Sequence, residues 1–80
     1  MYFAVKSVEP AEGHKLIIVF DDGSKRGFDA KPLLNFWRFM SLVSDDAFRK
    51  VWVSFDSAEW DDGLVLDPEN LYENSWPLYD

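Results

Sequence analysis

The period-two spacing of Leu16, Ile18 and Phe20 is the clearest feature of the hydrophobic pattern along this chain, and it predicts a strand over His14–Phe20. Ile17 and Val19 make the opposite face apolar as well, so this strand is expected in the middle of its sheet. Tyr2–Glu9 reads as a strand before it, with Phe3, Val5 and Val8 as its apolar members, and Pro10-Ala11-Glu12-Gly13 supplies the break. Asp21-Asp22-Gly23 predicts a hairpin turn, because glycine accepts the positive φ that tight turns demand. Ser24–Asp29 returns as a third strand, and Lys25 and Arg26 suit an edge or a solvated face.

The period changes after Asp29, which with Pro32 predicts the start of a helical turn. Leu33, Phe36, Trp37 and Met40 fit one face of an α-helix. Leu34, Phe39, Leu42 and Val43 overfill that stripe, so residues 33–43 are either buried nearly all round or partly exposed for contact. Ser44 followed by Asp45 and Asp46, and closed by Arg49 and Lys50, predicts a short helix whose charges complement its dipole.

Strands are expected again over Val51–Phe55, with Val51, Val53 and Phe55 sharing a face, then Ser57–Trp60 and Leu64–Leu66 around an Asp61-Asp62-Gly63 turn. Asp67-Pro68 opens another helix, running to Glu73. The order aromatic, Asp-Asp-Gly, short strand, Asp, proline occurs twice, from Phe20 and from Trp60, which is shared hairpin grammar rather than a duplication. Asn74–Asp80 shows no element. The pattern therefore predicts an α+β protein: one domain over residues 1–73 built from two antiparallel β units, about five or six strands and two or three short helices, with an aromatic tail over 74–80.

Composition narrows the function. A folded chain of 9.3 kDa should expose about 5,000 Å² and bury about 63% of its unfolded surface, enough for one small core. There is no cysteine, which excludes a disulfide framework, a thiolate metal site and a thiol nucleophile. No apolar run is long enough to span a bilayer, and no secretory leader is evident, so a cytoplasmic protein is expected. Residues 1–40 carry a net +1 and residues 41–80 a net −8, with no Lys or Arg after Lys50. That second half would repel a phosphate backbone, so direct nucleic-acid binding and an anionic membrane surface are not expected. A basic protein would be steered toward it.

Little here resembles reaction machinery. His14 is the only histidine, placed beside a turn and read as an exposed polar residue. The serines have no Gly-x-Ser-x-Gly setting, and the four glycines form no phosphate loop. The pairs Asp21/Asp22, Asp45/Asp46 and Asp61/Asp62 sit at turns or helix starts, where aspartate serves the backbone. No cofactor or metal is expected. Fourteen aromatic residues in eighty exceed what one small core needs, and aromatics anchor protein interfaces.

Taken in order, Val5 and Val8, Leu16 to Gly23, Phe28-Asp29, Pro32-Leu33-Leu34, Leu42, Asp46-Ala47-Phe48, Val51-Trp52-Val53, Trp60 to Gly63 and Leu66 to Tyr72 resemble the domain-of-unknown-function 2442 family of small bacterial proteins. The resemblance covers about residues 3–73. Two departures stand out: the family usually has Trp-Pro-Asn-Gly where this chain has Trp60-Asp61-Asp62-Gly63, and Phe36–Met40 is unusually aromatic. The resemblance implies a compact α+β domain with no established activity, often encoded beside another small protein in toxin–antitoxin-like pairs.

The functional expectation is a non-enzymatic module that binds a basic protein in an antitoxin-like way. Trp60 and Trp76 are its candidate anchors, and Asp61, Asp62 and Asp67 its polar rim. The alternatives are a homodimer joined through residues 33–43 and a small enzyme working through paired carboxylates.

Overall fold

The computed structural model describes residues 3–54, 56–61 and 63–78. Among these, β1 (Val5–Ala11), β2 (Lys15–Phe20), β3 (Lys25–Asp29), β4 (Trp52–Ser54), β5 (Ser57–Glu59), β6 (Val65–Leu66) and β7 (Trp76–Pro77) form two antiparallel sheets, ordered β1-β2-β3-β7 and β4-β5-β6. Helices α1 (Asp45–Phe48) and α2 (Pro68–Glu73) and two 3-10 segments, Lys31–Asn35 and Trp37–Val43, complete an α+β fold. The chain exposes 5136 Å², close to the expected area for its mass.

The doubly apolar β2 is central, as its pattern predicts. Leu16, Ile18 and Phe20 are fully buried, while Ile17 and Val19 on the other face are half-buried. β1 runs past the expected break to Ala11. Pro10 pairs opposite Leu16, which an edge strand tolerates because the missing N–H is not needed on its free side. The two Asp-Asp-Gly turns share one hydrogen-bond pattern. Phe20 N–H donates to Ser24 O and Gly23 N–H to Phe20 O, both at 2.9 Å. Trp60 N–H donates to Leu64 O at 2.9 Å and Gly63 N–H to Trp60 O at 3.0 Å. Both glycines take the positive φ this turn requires.

One core lies between the inner face of the larger sheet and side chains contributed by the helices and the smaller sheet. Val5, Leu16, Ile18, Phe20 and Phe28 meet Leu42, Phe48, Ala58, Trp60, Leu66 and Leu71 there. Tyr72 of α2 stacks on Phe3 at 3.9 Å between ring centroids and meets the Phe20 ring edge-on at 5.1 Å.

The last strand corrects the reading of Asn74–Asp80 as lacking an element. It also covers the outer side of β3, so of the two settings expected for Lys25 and Arg26, edge or solvated face, Lys25 takes the solvated face. Gly27 and Arg26 pair with Trp76 and Pro77. Arg26 donates to Ser75 Oγ at 2.6 Å and Ser75 O at 2.7 Å, with its guanidinium 4.3 Å from the Tyr72 ring centroid. The Trp76 indole lies where a Cβ on residue 27 would sit, with its nearest atom 2.7 Å from that point. Gly27 is therefore the glycine that lets the indole approach the sheet. Phe55, expected to share a face with Val51 and Val53, lies outside the described residues. Both Trp52 and Val53 of β4 are exposed, so that strand does not bury a clean face.

Candidate functional site

Residues 31–43 turn on a three-residue period rather than the α-helical one. Asp29 Oδ1 accepts from Lys31 N–H at 3.0 Å and fixes the entry, and Pro32 follows. Leu33 N–H then donates to Ala30 O at 3.0 Å, Phe36 to Leu33 O at 3.0 Å, and Phe39 to Phe36 O at 2.9 Å. These are i to i+3 bonds, which line up side chains three apart. Phe36 is extended, at φ −98° and ψ 133°, and separates the two segments.

That period corrects the expected helical face. Leu33, Leu34, Phe39 and Leu42 turn toward the core, with Leu42 fully buried. Trp37, Met40 and Val43, also three apart, form an exposed row, and Phe36 joins it at the break. Trp37 is 81% exposed, Met40 62% and Phe36 61%. Together these four present about 500 Å² of apolar surface, near the upper end for any single patch on a monomeric protein.

The row is held from below at its far end. His14 Nε2–H donates to Leu42 O at 2.9 Å and to Val43 O at 3.0 Å, and its ring lies 5.0 Å from that of Phe48. Two carbonyl acceptors require the proton on Nε2. His14 is thus half-buried and structural, not the exposed polar residue its place beside a turn predicts. It adopts φ +57°, next to Gly13 at φ +77°, which aims the ring back at the 3-10 segment.

The candidate anchors divide. Trp60 is 1% exposed, and its Nε1–H donates to Phe48 O at 2.8 Å. The structure therefore corrects its assignment as a partner anchor: its indole is sealed in the core with its one polar atom satisfied. Trp76 is 41% exposed, though it lies on Gly27 in the other sheet. Asp61 is exposed at the β5–β6 turn, beside a depression of about 150 Å³ that also involves Lys50 and Ala47. Asp67 caps α2, accepting from Glu69 N–H at 3.3 Å, and borders a different depression of about 230 Å³ lined by Phe28, Leu33 and Phe39. Asp62 lies outside the described residues. Of the sequence candidates, the neighbours Trp60 and Asp61 line one depression together.

Asp22 and Asp45 serve local structure. Asp22 accepts from Ser24 Oγ–H at 2.6 Å and Ser24 N–H at 2.9 Å, and the hydroxyl first, then the amide, hold its carboxyl below the usual range. Asp45 pairs with Arg49 at 2.8 Å, which raises the guanidinium pKa through the hydrogen bond and the opposite charge. Both pairs are solvent-facing. Among the described residues, no group of acids and histidine is arranged to hold a metal ion, and no helix is long and apolar enough to cross a membrane.

Fold and geometry together define a small two-sheet α+β domain that displays an exposed aromatic row on a 3-10 support. The chain belongs to the family described as "Protein of unknown function (DUF2442)", which it matches over residues 5–76. The match reaches Trp76 of β7, three residues past the limit read from the sequence. Neither a curated protein nor a solved structure matches it.

Proposed function

We propose that this protein works by docking to another protein through the Phe36–Val43 face, and not by catalysis. The observation that carries the reading is the exposure of Trp37, 81%, in a row with Met40 and Val43 on a backbone pinned by His14. An indole has only two side-chain torsions to fix when it is covered, so it offers a large contact area at low entropic cost. Folding has already determined the backbone that presents it.

A second reading keeps the antitoxin-like partner of a basic protein, contacted through Asp61, Asp67 and Trp76. It is favoured by the exposure of all three and by the absence of cations after Lys50. Photo-cross-linking in living cells separates the two. A photoreactive phenylalanine analogue at position 37 should give a discrete protein adduct, while one at exposed Lys6 on β1 gives none. Adducts from position 61 alone, to a basic protein, would favour the second reading. Position 37 behaving like position 6 would remove the first.

A further inference from the structure

We infer that the occupant of the Phe36–Val43 face is a second copy of this chain, related by a two-fold axis near Met40. The inference rests on the docking reading above and names its partner. Three observations point the same way.

The first is the order of charge along the segment. Lys31 and Arg38 are the only charged residues from 31 to 44, and Asp45 and Asp46 follow at once. Arg38 thus lies on one side of Met40 and Asp46 on the other, with Arg49 and Lys50 beyond it. A two-fold axis reverses that order in the second copy, so each Arg38 is brought to the side of the other copy's Asp46. With Met40 facing Met40, Trp37 meets the partner's Val43, and Arg38 extends toward the partner's Asp46. Asp45 is already engaged by Arg49, whereas Asp46 stands exposed on the first turn of α1.

The second is area. The four exposed apolar side chains offer about 500 Å², and the flanking exposed Arg38 and Ser41 widen this toward the roughly 800 Å² that each side of a standard interface buries. The third is the mirror-like spacing of the row. Trp37 and Val43 lie equally far on either side of Met40, and the larger side chain of one end opposes the smaller of the other. The net charge of −7 opposes self-association in general, yet residues 31–44 carry +2, so the repulsive charge lies away from this contact.

Sedimentation velocity on the full chain tests this. At about 100 µM, above the weakest dissociation constants that interfaces of this size show, the protein should sediment as a dimer. Trp37→Asp and, independently, Met40→Asp should sediment as monomers with unchanged far-ultraviolet circular dichroism, since both side chains are exposed. Arg38→Glu should weaken the dimer at least about tenfold, and Arg38→Glu combined with Asp46→Arg should restore it, which a merely sticky patch would not do. A monomeric full chain, or a dimer indifferent to Trp37→Asp, overturns the inference. If such a monomer still cross-links from position 37 to a different protein, self-association fails while the docking face stands. If position 37 gives no adduct at all, the docking reading fails with it.

Discussion

Trp60→Ala will remove a large share of the protein's stability. Removing a fully buried indole costs about 3–5 kcal/mol. A domain of this length has about 4–12 kcal/mol in total. Trp60 also joins two parts of the chain that no strand connects: its Nε1–H holds Phe48 O of α1, and its ring lies 5.8 Å from the Phe48 ring. Trp60→Phe keeps most of the apolar contact but leaves a buried carbonyl without its donor, which costs about 1–3 kcal/mol. Urea unfolding should therefore rank native, Phe, then Ala. A loss below about 1 kcal/mol for Trp60→Ala would show that the indole is not sealed in the core, and would return it to the list of surface anchors.

His14→Ala should cost about 2–3 kcal/mol, from two sources that can be separated. One is the hydrogen bond that Nε2–H shares between Leu42 O and Val43 O, with the packing on Phe48. The other is the backbone, because an alanine at φ +57° pays about 1 kcal/mol that asparagine largely avoids. His14→Asn should thus recover part of the loss without restoring the pin. In both variants, amide exchange should accelerate most over residues 37–43, since the row is presented by a backbone that this ring holds. Uniform acceleration across the domain would mean that the ring only contributes to global stability.

Much of the fold is legible because it depends on local rules. Leu16, Ile18 and Phe20 specify a buried strand face wherever they lie, and Asp67-Pro68 opens a helix through a bond only two residues long. Three features escape such reading, each for a physical reason. Residues 33–43 contain apolar side chains at both three-residue and α-helical spacings, and composition does not decide between them. The choice is made by i to i+3 bonding that follows the Asp29 turn and by the carbonyls that His14 holds from a distant turn. Trp60 has the residue type of an interface anchor, but its fate depends on Phe48 O, twelve residues away. β7 is two residues long and pairs with Arg26 and Gly27 across about fifty residues. Its one sequence signal is Gly27 within an otherwise substituted strand, which marks a close approach from outside. The exposed row carried a signal too, in the i, i+3, i+6 spacing of Trp37, Met40 and Val43.

The docking face exists only if residues 33–43 divide into a core side, with Leu33, Leu34, Phe39 and Leu42, and a contact side, with Trp37, Met40 and Val43. Serine substitutions at each apolar position of the segment test it most directly, with unfolding free energies measured in urea on protein dilute enough to be monomeric. Leu42→Ser should lose the most, at least about 3 kcal/mol, with smaller losses at Leu33 and Phe39, while Trp37, Met40 and Val43 stay within about 0.5 kcal/mol of the native chain. Losses at Trp37 and Met40 as large as that at Leu42 would place them in the core on an α-helical period, and the contact face would not exist.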